Sequence, residues 1–305
     1  MGGELTAELH LLGGGLHLVG DVAQEEERAG RGDGRERTEI SVTGKWTPTR
    51  PGGRFRRTEE SDEMLAEWED IHLGARAHPG VLSTEINHAI GEDAVLVHHV
   101  FADPAAMVDY FGTIATEHMT ALRSIATPQR HMVRGTAVPQ EAREAIESKG
   151  VAADFGEWRY GYVRDDNRQP DPERAVQVTA KWACTEGDRL DELTYRWQQV
   201  GTEAHSLEEG LVRFEAYQVP GEDALLVHET FTDSDSLKFH LTKGTAAMFK
   251  KEIDRIAAPE DYFFRGPVAW TIRTYSKFMH LPATYSSRGS HHTAEGGTLS
   301  EGRPA

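Results

Sequence analysis

A single cysteine, Cys184, stands among the 305 residues. No intrachain disulfide can form, and a reducing, cytoplasmic setting is the simpler expectation. No apolar run approaches the roughly 18 residues that a membrane-spanning helix needs. The glycine-interrupted piece Leu11-Leu12-Gly13-Gly14-Gly15-Leu16 has no basic stretch before it, so a secretory leader is not expected. Cations are scarce: 33 Lys and Arg face 50 Asp and Glu, for a formal charge of −17. Nucleic acid would need a basic patch able to overcome that field, and Arg54, Arg56 and Arg57 are soon answered by Glu59 and Glu60. An anionic membrane surface is excluded as a partner on the same ground. Also missing are a Gly-rich nucleotide loop, a Gly-x-Ser-x-Gly elbow and a His-Glu-x-x-His pair, and no neighbouring feature would lower the pKa of Cys184.

What is present is a repeat. Gly91-Glu92-Asp93-Ala94-Val95-Leu96-Val97-His98-His99-Val100-Phe101-Ala102-Asp103 returns 130 residues later as Gly221-Glu222-Asp223-Ala224-Leu225-Leu226-Val227-His228-Glu229-Thr230-Phe231-Thr232-Asp233. Upstream, Val42-Thr43-Gly44-Lys45-Trp46 answers Val178-Thr179-Ala180-Lys181-Trp182; downstream, Arg134-Gly135 answers Arg265-Gly266. Three matches kept in order at offsets of 136, 130 and 131 indicate a duplicated module.

The chain therefore divides into an arm at 1–38, a first module at 39–164, a linker at 165–174, a second module at 175–283 and a loose tail at 284–305. In module one, a strand carries Ile40, Val42, Gly44 and Trp46 on one side. A helix follows from about Glu63 to Ala77, then strands Val81–Ala89 and Ala94–Phe101 joined by Gly91-Glu92-Asp93. A helix N-capped at Asp103 with Pro104 in its first turn runs towards Ile125. Module two repeats the order, with strands at 175–183, 211–217 and 224–231 and helices from Leu190 to His205 and from Asp233 or Ser234 to about Ile256. Strand-like Tyr262–Phe264 leads on to Val268–Tyr275. The helix at 139–149 reads as an insertion, and Trp158, Tyr160 and Tyr162 as one face of the strand after it, with Trp158 answering Trp270.

Each module reads strand–helix–strand–strand–helix–strand. The expected fold class is α+β: two tandem ferredoxin-like modules whose antiparallel sheets pack into one pseudo-dimeric α/β barrel. Uncovered apolar sheet faces would aggregate, so the two must bury one another.

On Val227-His228-Glu229-Thr230-Phe231-Thr232-Asp233, followed by Leu237 and His240-Leu241, with Ala246 to Phe249 behind, the sequence resembles the antibiotic-biosynthesis-monooxygenase-like group of the dimeric α/β-barrel superfamily. The likeness covers about 39–137 and 175–275, in a fused version of what is usually a pair of single-module chains. It implies a small-molecule enzyme or binding protein, since the superfamily holds cofactor-independent oxygenases of polycyclic phenols, heme-degrading enzymes, isomerases, heme proteins and members without activity. Module one departs from the pattern, with Tyr110 for His240 and His99 for Glu229, so chemistry is expected in module two. The heme-degrading relatives carry a functional Trp at His240 and a histidine near Lys250, so heme degradation is not expected.

Candidate residues follow. His240 could take a phenolic or enolic proton with a pKa near working pH; the bland alternative is a partly exposed helical histidine. His228 and its counterpart His98 are the ionisable pair shared by both third strands; they are either proton-transfer or ligand groups or satisfied core histidines. Alternation puts His228 and Glu229 on opposite faces, so both cannot line one cavity. Asn87 could orient a carbonyl or bound oxygen. Trp46, Trp182, Phe231 and Tyr110 could line the cavity, or be core. Arg134 and Arg265 suggest a salt bridge repeated in each module rather than an anion clamp. No metal or cofactor is expected. His98, His228 and a carboxylate have the ligand types of a non-heme iron site, but no compact spacing. The leading expectation is a cofactor-independent oxygenase acting on an aromatic or polyketide-like molecule, with a homodimer compatible. Its rival is a non-catalytic binding or stress-response protein that holds heme or an apolar ligand in the same cavity. A cavity of several hundred Å³ with His240 or His228 at its wall would favour the first.

Overall fold

The computed structural model describes residues 38–50, 58–164 and 170–293; the arm, residues 165–169 of the linker and the chain after Thr293 lie outside the described residues. Module one comprises β1 (Ile40–Pro48), α1 (Glu59–Ala77), β2 (Val81–Ala89), β3 (Val95–Phe101), α2 (Pro104–Gly112), α3 (Ile114–Ile125), β4 (Ala126–Gly135), α4 (Gln140–Glu147) and β5 (Ala153–Val163). Module two comprises β6 (Val176–Cys184), α5 (Leu190–Leu207), β7 (Leu211–Gln218), β8 (Ala224–Phe231), α6 (Ser234–Thr242), α7 (Thr245–Ile256), β9 (Ala257–Arg265), α8 (Trp270–Phe278) and β10 (Ala283–Thr293).

The ten strands close into one barrel in the order β1-β3-β2-β10-β9-β6-β8-β7-β5-β4. Within each module the pairings are antiparallel except β4–β5 and β9–β10, which are parallel. The last strand of each module also joins the other module: β5 pairs β7, and β10 pairs β2, both antiparallel. The expected architecture of two ferredoxin-like modules sharing one barrel is what the chain adopts.

Strand alternation builds two cores. Every residue of β8 is buried, because helices cover one face and the barrel interior the other. Leu225, Val227 and Phe231 pack under the helices of module two, while Ala224 and Leu226 point inward with Leu96, Met132, Tyr217 and Phe263. On α1, Met64, Trp68, Ile71 and Ala75 form the buried stripe, and on α5 Leu193, Trp197, Val200 and Ala204 do the same at the same spacing. A capping box between Thr58 and Ser61 starts α1 four residues earlier than the sequence pattern suggests.

Several expectations are corrected. The helix at 139–149 is no insertion: α8 is its counterpart, so Val268–Tyr275 is mostly helix rather than strand. Trp270 does not answer Trp158, since it is 70% exposed at the start of α8. The tail from Thr284 is structured to Thr293 as β10, the counterpart of β5. In β5, a register shift between Trp158 and Tyr160 splits the aromatic face. Trp158 joins the barrel interior and Tyr160 and Tyr162 turn to the helices of module two. The second helix of each module is two helices, broken at Thr113 and at Lys243-Gly244. No described helix is long and apolar enough to cross a membrane.

Candidate active site

A cavity of about 50 Å³ lies between the sheet and the helices of module two, outside the barrel interior. Trp182 of β6 lines it with Val227 and Glu229 of β8, and Trp197, Tyr262, Lys250, Tyr275 and Met279 are among its other walls. That space takes a few waters or a small molecule, since about 10–15 Å³ of such volume holds one water.

Three ionisable side chains meet at the wall. Asp233 caps α6 by accepting from the Ser236 amide, and this fixes the helix phase so that Leu237 and His240 are buried. Glu208 follows α5 and accepts from His240 Nδ1 at 2.9 Å, from the Thr245 amide at 2.6 Å and from Thr245 Oγ1 at 2.7 Å. It therefore sits at the N-terminus of α7, where the helix dipole favours an anion. Gly244 makes this approach possible: a Cβ there would lie 2.6 Å from Glu208 Oε1 and 2.8 Å from the His240 Cα. Across the ring, His240 Nε2 is 3.0 Å from Glu229 Oε1. That contact is Coulombic rather than directional, because neither atom has an aligned hydrogen-bond partner.

Burial alone would discharge His240. The charge of Glu229 and the hydrogen bond to Glu208 outweigh it and push the imidazole up to about 10. Glu208 is likewise pulled two ways: burial raises its carboxyl, but the donors His240 and Thr245 hold it below the usual range. His240 is thus held in its protonated form between the side chains of Glu208 and Glu229. His240 lines the cavity with its pKa raised, which suits a hydrogen-bond donor better than the free base expected from the sequence, and Glu229 lines the same cavity.

The other expected residues fall elsewhere. His98 and His228 face the barrel interior, each with Nδ1 on a threonine hydroxyl, Thr43 at 2.9 Å and Thr179 at 3.0 Å. Burial first, then the nearby arginines, lowers both well below the ordinary histidine value, so both rings are neutral. Asn87 is buried on the β2 face it shares with Glu85, which reaches inward to Arg265. The trio His240, His228 and Asn87 is therefore divided by the sheet. Trp182 is a cavity wall, in edge contact with Trp197 at 5.3 Å between ring centroids. Phe231 is fully buried core beside the His240 ring, at 5.3 Å. Trp46 packs edge-on against Trp68 in module one, and Tyr110 Oη lies 3.2 Å from His99 Nε2. Among the described residues no cluster has the arrangement to hold a metal. An iron centre at His98 and His228 does not fit, because Arg134, Arg213 and Arg265 surround the pair with positive charge.

Module one is plugged at the equivalent place. Glu208, Glu229 and His240 correspond, all at an offset of 130, to His78, His99 and Tyr110. Burial drives His99 down to about 3 and His131 to about 4, and the His131 ring fills the space over Gly44, 2.1 Å from where a Cβ would stand. Glu208 was not among the residues singled out from the sequence. The signal was available: three positions at one offset change together from His, His and Tyr to Glu, Glu and His.

The fold and site define an α+β barrel with one acid–base cluster under the helices of its second half. Among solved structures, the chain is similar to a candidate monooxygenase of Fusobacterium nucleatum at 11% identity and TM-score 0.49, covering 73% of this chain and 89% of that one. It is similar to an anthrone oxidase-like protein at 10% identity and TM-score 0.48, covering 85% and 94%. It is also similar to SnoaB, a cofactor-independent oxygenase from Streptomyces nogalater, at 17% identity and TM-score 0.27, covering 32% and 90%. At these identities no residue's role carries over. No family model and no curated protein matches the chain.

Proposed function

We propose that the second module carries a cofactor-independent oxygenase reaction on an aromatic or polyketide-like small molecule. The observation behind this reading is the buried pair of Glu229 Oε1 and His240 Nε2, 3.0 Å apart on the cavity wall and each without an aligned partner. A phenol or enol placed between them would give its proton to Glu229 and accept a hydrogen bond from His240 Nε2–H on the oxygen that becomes negative. Glu208 keeps Nδ1 engaged and the ring oriented. Aromatic walls supplied by Trp182, Trp197 and Tyr262 suit a flat, electron-rich substrate. The carbanion so formed would reduce O₂, which enters as co-reactant; a ring CH₂ and O₂ then give C=O and H₂O.

The small cavity supports a second reading, in which the module holds a small apolar ligand without turnover. Heme fits poorly, since both His240 nitrogens already face carboxylates at 2.9 and 3.0 Å. For a polycyclic substrate, the cavity must widen. The test is oxygen uptake with an anthrone-type substrate under air. Wild type should consume one O₂ per substrate, and Glu229→Gln should be about 10²–10⁴-fold slower. Equal rates in the two proteins, or no uptake across a panel of hydroxyaromatic substrates, would remove the oxygenase reading. Native mass spectrometry of the purified protein with a UV-visible spectrum would then report what the cavity holds.

A further inference from the structure

The barrel interior is close to symmetric, and it fails at one arginine. Arg265 and Arg134 occupy equivalent places at the ends of β9 and β4, each 2% exposed. Arg265 is paired through both terminal nitrogens, though not through Nε: Glu85 Oε2 lies 3.0 Å from Nη1, and Gln177, its neighbour across the β6–β9 pair, accepts from Nη2. The repeat predicts the partners of Arg134. They would be Glu215, the counterpart of Glu85 at an offset of 130, and Ser41, which faces Arg134 in the β1–β4 pair as Gln177 faces Arg265.

Neither serves. Glu215 is taken by Arg213, whose Nε is 2.8 Å away, and by the Tyr217 hydroxyl, also at 2.8 Å. Arg213 has no counterpart, since module one has Ser83 there. Ser41 is too short to replace the glutamine. Among the described residues Arg134 has no ion pair, its Nε has no hydrogen-bond partner, and the Tyr217 ring lies 5.8 Å from its Cζ. Glu215 acts on it only at longer range, while Arg213 and Arg265 repel it. Among the described residues the three guanidinium groups face two inward carboxylates, Glu85 and Glu215, and Glu39 acts on the Arg213 side rather than on Arg134. An uncompensated buried cation costs several kcal/mol unless an anion joins it.

We propose that Arg134 is the anchor of a small-anion site that takes a monovalent carboxylate, in the place where the symmetric arrangement would put a glutamate. The carboxylate class follows from Arg265, which receives a carboxylate in the same frame, and from the fork of a guanidinium, which matches one. Ser41 is shorter than the glutamine that serves Arg265, and Arg213, beside Glu215, keeps its side chain 33% exposed. This site lies on the opposite face of the sheet from Glu229 and does not depend on the oxygenase reading.

The test is thermal unfolding of the full chain in sodium formate or sodium chloride at fixed ionic strength and pH. In wild type the midpoint should rise saturably with formate, by about 5 °C at a hundredfold excess over the dissociation constant, and chloride should not reproduce the rise. Arg134→Met should lose the formate-dependent rise, and so should Ser41→Gln, which supplies the partner that Gln177 gives Arg265. Ser41→Gln keeps the test decisive if Arg134→Met does not fold. A wild-type midpoint that rises equally with chloride, or a formate response retained in either variant, would overturn the proposal.

Discussion

The buried triad of Glu208, His240 and Glu229 should make stability fall with alkali. A shift of His240 from 6.5 to about 10 corresponds to about 5 kcal/mol of preference for the protonated ring in the folded chain. Because the folded value lies above the unfolded one, this contribution is complete below pH 6.5 and disappears as pH rises towards 10. The slope approaches about 1.4 kcal/mol per pH unit, so roughly 2–3 kcal/mol is lost between pH 7 and pH 9. For a chain of this size that is a fall of roughly 5–10 °C in thermal midpoint. Burial also raises the hydroxyls of Tyr160 and Tyr262, which would add a second decline once free tyrosine ionises near pH 10. The measurement therefore stops at pH 9.5. Thermal midpoints would be compared for wild type and His240→Gln, together with ¹⁵N shifts of the His240 ring, which should show both nitrogens protonated at pH 8. A wild-type midpoint flat from pH 7 to pH 9, or a His240 ring titrating near 6.5, would refute the reading of this cluster as a stable imidazolium.

Other expectations can be checked with single substitutions. Glu208→Ala strips the partner from His240 and from the α7 N-terminus, and should cost about 3–5 kcal/mol in urea unfolding, with faster hydrogen exchange at the start of α7. Gly44→Ala pushes a methyl into the His131 ring and should destabilise by about 1–3 kcal/mol, whereas Ala180→Gly at the equivalent place should cost about 1 kcal/mol or less. Trp270→Ser should change stability by no more than about 0.5 kcal/mol, because Trp270 is an exposed helix residue rather than the partner of a core strand.

The repeat made the fold legible. Conserved order at offsets near 130 residues, with alternation in β1, β3, β6 and β8, was enough to specify two equal modules sharing one barrel. Two things escaped. Helix α8 was hidden because Trp270, Tyr275 and Phe278 read as β formers and no strong cap marks its start, so α4 was left without a counterpart. The bulge in β5 was hidden because a register shift leaves no mark in an alternating pattern. At the site, His240 and Trp182 were legible by comparison of the modules, and the division of His228 from Glu229 followed from alternation. The charge state of His240 was not, since it depends on Glu208, 32 residues away in sequence. That contact exists only because Gly244 lets α7 start where it does.

The exchange of final strands has a further consequence. β5 finishes on β7 and β10 finishes on β2, so neither half can complete its own hydrogen-bond ladder. A half produced alone would expose two unsatisfied rims and a polar lining meant for the interior, and would look for a mate or clump. Productive folding must wait until distant parts of the chain meet, which makes assembly of this barrel slow compared with its helices. The covalent connection through residues 164–170 keeps each half supplied with its complement, at a ratio that two separate chains would have to find by collision.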